Sequence, residues 1–286
     1  MIYILLNPLA NNGKGKLAEA ELREIFKDKE ITVLDITKYK SAAEICQNLK
    51  AEDEIVVAGG DGTLSHFVND VYDLKLQQKI YLYFCGTGND FMIDVKDKVD
   101  IKNKLVPIND FIVSLPKVYV NGMTKYFING IGFGIEGYCC EEGDRVRATS
   151  DKPVNYTAIA IKGVLYKFHP LNATVTVDGV EKKYKKVWLA PAMMGRFIGG
   201  GMMMAPNQDR LNKEKTLTNV IWSNTGKLST LMKFPSIFKG EHVKYTKSID
   251  IRTGHSIKVE FDRPCALQID GETVLNVKSY SVSYGE

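Results

Sequence analysis

Three short runs combine glycine with side chains able to meet phosphate. They are Asn7-Pro8-Leu9-Ala10-Asn11-Asn12-Gly13-Lys14-Gly15-Lys16, Gly59-Gly60-Asp61-Gly62-Thr63 and Gly86-Thr87-Gly88-Asn89-Asp90. Where a chain turns into a helix, its backbone N–H groups attract phosphate, and glycine lets the backbone come close. Asp61 cannot favour phosphate by charge. A carboxylate among phosphates fits a role in holding Mg²⁺, orienting a ribose, or taking a proton from an attacking hydroxyl. One Gly-Gly-Asp-Gly alone reads as a tight turn. Three such loops at one edge of a sheet point to a shared ligand.

The elements that must position these loops follow from periodicity. Ile2–Leu6, Ile31–Leu34, Glu54–Ala58 and Ile80–Phe84 are short apolar runs, as expected for a parallel sheet covered on both faces. Between them, residues 16–26, 42–49 and 63–71 have helical spacing, the first with Leu17, Ala20, Ile25 and Phe26 as its apolar stripe. Alternation of this kind predicts an α/β layer whose ligands bind at the carboxyl ends of the strands. Gly13, Gly15 and Ala18 with Asp35 superficially match a dinucleotide fingerprint. Pro8 to Asn12 stand between strand and glycines, however, and the other two loops stay unexplained. No Walker A sequence occurs.

Beyond a polar stretch at 100–105 the segments become short and β-rich, at 108–115, 124–129, 173–177, 187–191, 218–222, 248–252, 256–261 and 266–269. Lys182-Lys183 and Lys185-Lys186 read as a solvated strand face. Two helical patterns interrupt, about 154–168 and 227–238. This predicts two domains, a nucleotide-binding α/β domain over 1–105 and an acceptor-binding β domain over 106–286. Asp270-Gly271-Glu272 taken alone reads as a hairpin turn.

The 286 residues are 44 % hydrophobic and 25 % charged, which fits a globular chain able to bury sizeable cores. A net charge of +4 without a basic cluster excludes a dense nucleic-acid-binding face. Five cysteines, an odd number without a CxxC pair, fit a reducing, cytoplasmic compartment. No apolar run reaches the ~20 residues of a membrane-spanning helix. His66, His169, His242 and His255 are scattered without metal-ligand spacing and read as surface or capping residues. Cys85 reads as a small core residue rather than a nucleophile. Met202-Met203-Met204 fits either core packing or an apolar pocket for a lipid chain. Leu228, Leu231, Met232, Phe234, Ile237 and Phe238, among lysines, have the composition to dock on a membrane, but with Pro235 interrupting them they read as buried against the second domain.

The chain resembles the diacylglycerol kinase catalytic-domain family, which includes bacterial lipid kinases and sphingosine kinases. The likeness rests on Asn7-Pro8, Gly59-Gly60-Asp61-Gly62-Thr63 with Asn69, and Gly86-Thr87-x-Asn89-Asp90-Phe91. It continues through Asn129-Gly130-Ile131-Gly132-Phe133-Gly134, Gly199-Gly200-Gly201-Met202, Ala205-Pro206 and Asp270-Gly271-Glu272. It implies a phosphofructokinase/NAD-kinase-like α/β domain and a C-terminal β-sandwich. It implies ATP contacts from Asn7, Pro8, Leu9, Ala10 and Asn11, from Thr37, from Gly60, Asp61, Gly62, Thr63, Leu64, Ser65 and His66, and from Thr87, Asn89 and Asp90. It implies Glu272, or Asp270 beside it, as the base, with Asp61 assisting through nucleotide-bound Mg²⁺.

Met92 and Ile93 replace the family's frequent Ala-Arg. Glu136 replaces its Asp. Residues 208–215 replace an Asp-Asp-Gly turn that carries a structural metal in some members. The implied activity is ATP-dependent phosphorylation of a hydroxyl on diacylglycerol or a related lipid, at the membrane surface, by a peripheral protein. An exposed sheet edge in the second domain would allow a homodimer. The alternatives are an NAD-kinase-like enzyme with a soluble acceptor, and a non-catalytic nucleotide or lipid binder.

Overall fold

Ile2–Leu6 (β1), Ile31–Asp35 (β2), Glu54–Gly59 (β3) and Lys79–Phe84 (β4) pair in parallel in the order β2-β1-β3-β4. Leu105–Pro107 (β5) closes the sheet antiparallel to β4. The structure, a computed structural model, describes residues 1–86, 89–150 and 154–285. It divides into two units, Met1–Leu115 and Pro116–Glu286. The boundary expected after residue 105 therefore falls between Leu115 and Pro116. The apolar run expected as a strand over 108–115 is instead a helical turn, Asn109–Ile112. Asn109 Oδ1 accepts from the Ile80 N–H at 2.8 Å, and Phe111 meets the Phe91 ring edge-on. A short apolar run is satisfied by burial in either conformation.

Ile2, Ile4, Leu6, Val56 and Ala58 pack against the Leu17–Ile25 helix. The helix face that does this is Ala18, Leu22 and Phe26, spaced by four, whereas Leu17 and Ala20 of the expected stripe lie exposed. The Asp61–Val71 helix buries Leu64, Phe67, Val68 and Val71. Asp90–Val95 forms a further short helix.

The second unit is mainly antiparallel. Its strands are Pro116–Val120 (β6), Met123–Tyr126 (β7), Gly130–Phe133 (β8), Leu171–Val177 (β9), Val180–Val187 (β10), Ala192–Met193 (β11), Phe197–Ile198 (β12), Met202–Met203 (β13), Leu217–Trp222 (β14), Ile249–Gly254 (β15), Ser256–Ile269 (β16) and Glu272–Tyr284 (β17). The main path is β15-β14-β11-β8-β16-β17-β6-β7, while β9 pairs β16 and β10. The segments expected at 256–261 and 266–269 are one strand. Its register shifts between Glu260 and Cys265, so its first half pairs β9 and its second half β8. The lysines of β10 are exposed, as expected of a solvated face. Residues 188–191, expected to be strand, contribute only a bridge of Leu189 to Gly134 and Trp222.

A helix over Ile135–Thr149 went unforeseen. Two interior glycines hide it from propensity, and both are packing devices. A Cβ on Gly137 would collide with Ala266 O of β16, and one on Gly143 with the Tyr156 ring. The helical pattern at 154–168 is realised as Tyr156–Lys162 followed by a π-turn, Gly163–Lys167. That at 227–238 is realised as Lys227–Lys233 followed by a 3₁₀ segment, Phe234–Lys239, with Pro235 at the junction. Of the apolar residues there, Ile237 is buried, but Leu228, Met232 and Phe238 are exposed, against the expected burial. His242, expected as a surface or capping residue, is fully buried with Nε2 on Met204 O.

Candidate active site

The three glycine-rich loops of the first unit are interlocked. Asn7, at the carboxyl end of β1, donates from Nδ2 to Thr63 Oγ1 at 2.8 Å, and its Oδ1 accepts from the Leu9 N–H at 3.0 Å. This ties the first loop to the second. Asp61 ties the second to the third. Its Oδ2 accepts from the Asp90 N–H at 2.8 Å and its Oδ1 from the Phe91 N–H at 3.2 Å. Backbone contact completes the assembly, because a Cβ on Gly86 would strike the Cα of Gly60 and one on Gly59 the Thr63 side chain. Here glycine serves close approach rather than unusual dihedrals.

The expected nucleotide contacts separate into three groups. Asn7, Leu9, Asn11, Gly62 and His66 have surface to offer: Gly62 has no atom within 4 Å of where a Cβ would stand, and Leu9 and His66 are exposed. Pro8, Gly60, Asp61, Thr63 and Asp90 are buried within the loop assembly, with Ala10 and Asn89 partly so. Leu64 and Ser65 face inward with fully buried side chains, and the Leu64 N–H is held by Gly60 O at 3.0 Å. Leu64 is thus a core residue that supports the helix. Thr37 lies past the end of β2, where Asp35 Oδ1 accepts from both its N–H (3.0 Å) and its Oγ1 (2.6 Å). Those bonds draw the Asp35 carboxyl below its usual range. Asp35 therefore fixes Thr37, a role its position in a dinucleotide fingerprint did not suggest. Thr87 lies outside the described residues. Cys85 carries a thiol that burial pushes up to about 11, which leaves it protonated and unreactive.

In the second unit, Asp270 and Gly271 both have positive φ, 47° and 94°, and form the two-residue turn between β16 and β17. The turn is also more than a turn. The Asp270 carboxylate accepts from three successive backbone N–H groups, Ile128 (2.7 Å), Asn129 (2.9 Å) and Gly130 (3.1 Å). The Gly271 N–H is held by Gln268 Oε1 at 2.6 Å. Glu272 is ion-paired with Lys125 of β7. Arg210, 3 % exposed, donates to Ile128 O at 2.8 Å and to Asn129 Oδ1 at 3.0 Å. A buried guanidinium thus grips the carbonyl side of the segment whose amides grip Asp270.

Lys125, Gln268 and Arg210 were not foreseen. Arg210 had one signal, as the lone arginine in the 208–215 loop that departs from the family pattern. That loop is closed by its own side chains: Asn212 Oδ1 accepts from the Thr216 N–H at 2.8 Å, and Gln208 Oε1 accepts from Thr218 Oγ1 at 2.6 Å.

Glu136 follows Gly134 in the first turn of the Ile135–Thr149 helix. It is buried, and neither carboxylate oxygen has a hydrogen-bond partner. Desolvation pushes its carboxyl up to about 8, so it is largely neutral below that pH.

The loops fit a nucleotide. Asn89 Oδ1 is buried without a hydrogen-bond partner, and an orphaned acceptor suits a ribose hydroxyl or an adenine amino group. Gly62 leaves backbone open at the start of an eleven-residue helix. No group of three or more His, Cys, Asp or Glu able to hold a metal occurs among the described residues. A Mg²⁺ carried on nucleotide phosphates needs only one or two protein carboxylates, a requirement the donor set of these loops meets through Asp61.

Comparison with known proteins agrees with both units. Residues 1–112 match the family model of the diacylglycerol kinase catalytic domain, and residues 129–280 that of the YegS C-terminal NAD kinase beta sandwich-like domain. The second unit is accordingly a β-sandwich. A diacylglycerol kinase of Mycobacterium tuberculosis is 25 % identical over 85 % of this chain and 80 % of its own. A diacylglycerol kinase of Staphylococcus haemolyticus is 26 % identical over 94 % and 81 %. A crystal structure of a Bacillus anthracis diacylglycerol kinase has the same fold, with a TM-score of 0.61, 18 % identity, and coverage of 99 % of this chain and 93 % of that one.

Proposed function

The chain belongs to the diacylglycerol kinase catalytic-domain family, and on that premise we propose that it transfers the γ-phosphoryl group of ATP to the hydroxyl of diacylglycerol or a related lipid. The family makes it a phosphotransferase. The observation that carries the finer reading is the interlocking of three phosphate-type loops by Asn7–Thr63 and Asp61–Asp90. Phosphoryl transfer needs positioning and charge neutralisation more than covalent help, and a rigid cradle supplies positioning.

The first unit holds the donor through the backbone of residues 9–13 and 60–62, with Asn7 and Asp61 as braces. Asp61 would hold a Mg²⁺ carried on the nucleotide, and that ion would supply neutralising charge to the phosphate oxygens. The second unit supplies the proton acceptor. Asp270 already takes three amide hydrogen bonds, so its lone pairs are committed to structure. Glu272 carries its carboxylate one residue past the turn, oriented by Lys125. Glu272 takes the proton of the acceptor hydroxyl as that oxygen bonds to the γ-phosphorus. The bond from phosphorus to the β–γ bridging oxygen breaks, and ADP leaves. Five free cysteines suit work in the cytoplasm, on lipid presented at the membrane surface.

The second unit's likeness to an NAD kinase sandwich favours a soluble acceptor as the competing reading. Incubation with ATP and Mg²⁺ and either dispersed diacylglycerol or NAD separates the two. Phosphatidic acid is expected. NADP formation without phosphatidic acid would replace the lipid acceptor with a soluble one.

A further inference from the structure

We propose that the face formed by residues 156–167 and 227–247 of the second unit docks on an anionic bilayer; this rests on the lipid-kinase reading and names the surface that would bring the enzyme to its substrate. The Lys227–Lys233 helix turns one side inward, where Thr230 is buried and shares a 2.8 Å hydrogen bond with Thr225. The opposite side presents Leu228 and Met232, four residues apart and each 69 % exposed. The following 3₁₀ segment buries Ile237 and exposes Phe238. The π-turn Gly163–Lys167 packs beside this helix and is tied to it by Lys227 Nζ on Leu165 O at 2.7 Å. It carries Tyr166, 70 % exposed. Four large apolar side chains thus stand in solvent on elements that touch one another, where single exposed residues would need no explanation.

Charge selects the occupant. These two segments hold seven lysines and one glutamate, a formal excess of six, against +4 for the whole chain, so the remainder is net negative. The apolar side chains come with Lys162, Lys167, Lys227, Lys239, Lys244 and Lys247, all exposed. Apolar side chains that can enter the acyl boundary, rimmed by lysines that meet headgroup phosphates, are the composition of an interfacial element. A protein partner with a matching apolar patch would not require the lysine rim, and a second copy would bring like charge against like.

The test is flotation of the full chain with vesicles of phosphatidylcholine alone or with 30 % phosphatidylglycerol, at low and high salt. Wild type should float with the anionic vesicles, stay behind with the neutral ones, and be released by salt. Leu228→Glu/Met232→Glu should reduce that binding by about tenfold or more, each change removing apolar contact and adding like charge to the membrane. The thermal midpoint should be unchanged, because both side chains lie in solvent. Lys239→Ala/Lys247→Ala should weaken binding to anionic vesicles as a second, fold-neutral variant, since both side chains are exposed. Activity on a short-chain diacylglycerol dispersed in detergent should be kept by all variants, which separates failure of the surface from failure of the kinase reading. Absence of wild-type binding to anionic vesicles overturns the proposal. So does undiminished binding by both variants, and so does loss of a dimer by Leu228→Glu/Met232→Glu with vesicle binding intact.

Discussion

Asp61 Oδ2 accepts a hydrogen bond from the backbone N–H of Asp90 across 2.8 Å, and its other oxygen takes the N–H of Phe91. One carboxylate therefore spans two of the three loops, and its removal is a structural change before it is a catalytic one. Asp61→Ala strips the acceptor from two amides at the start of the Asp90–Val95 helix. An unsatisfied buried donor costs about 1–3 kcal/mol, so urea unfolding should show a loss of that order. Nucleotide affinity should fall at least about tenfold, as expected when a positioning contact is lost. Asp61→Asn keeps one acceptor oxygen and should lose less stability. Equal stability of Asp61→Ala and wild type would show that the loop does not depend on this bridge.

Asp270 and Glu272 are two residues apart and should behave differently. Glu272→Gln leaves the turn and its partners in place, so the melting temperature should stay near wild type. Loss of general base catalysis should lower kcat by roughly 10²–10⁴. Asp270→Ala removes the common acceptor of the Ile128, Asn129 and Gly130 amides, so unfolding free energy should fall by about 2 kcal/mol or more. Retained turnover in Glu272→Gln, with turnover lost in a folded Asp270→Asn, would reverse the assignment.

Arg210 tests the other side of the same segment. Its guanidinium satisfies Ile128 O and Asn129 Oδ1 together, and hydrogen bonds from a charged group are worth about 1.5–3 kcal/mol each. Arg210→Ala should destabilise the chain measurably in urea. Arg210→Lys should recover only part, because an ammonium cannot present a planar fork to two acceptors. Full recovery by lysine would show that charge alone matters there.

Glu136 makes stability depend on pH. Its carboxyl sits at about 8 when folded against an ordinary 4.5. Between those values the unfolded chain has released the proton while the folded chain keeps it, so this contribution is fully present below pH 4.5 and is lost as pH rises toward 8. The shift corresponds to an effect on the order of 5 kcal/mol at the alkaline end. Glu136→Gln should flatten the fall in stability between pH 5 and pH 8.5. A wild-type profile already flat over that range would mean the carboxyl is solvated.

The parts of this fold that were legible are those set by local pattern. The continuous apolar runs of β1, β3 and β4 place the glycine-rich loops that follow them at one sheet edge. Asp270-Gly271 is a two-residue turn by its residue types alone. What pattern could not show is held by distance. Asp61 meets backbone amides 29 and 30 residues away, and Arg210 reaches 81 and 82 residues back. Neither partner set leaves a side-chain signature, because most of the acceptors and donors are main chain. The Ile135–Thr149 helix was masked by Gly137 and Gly143, whose lack of a side chain is what lets it pack on β16 and Tyr156. The inner stripe of the first helix was misread because Leu17 is apolar yet exposed, while small Ala18 faces the core.

The central claim is transfer from ATP to a lipid hydroxyl with Glu272 as base. The direct measurement is transfer of label from γ-labelled ATP, with Mg²⁺, to a total bacterial lipid extract, comparing wild type with Glu272→Gln. Wild type should give an organic-extractable labelled product comigrating with phosphatidic acid or a related phospholipid, and the variant little. Labelled lipid made equally by both would remove Glu272 as the base, and no labelled lipid from wild type that still binds ATP would contradict the lipid acceptor itself.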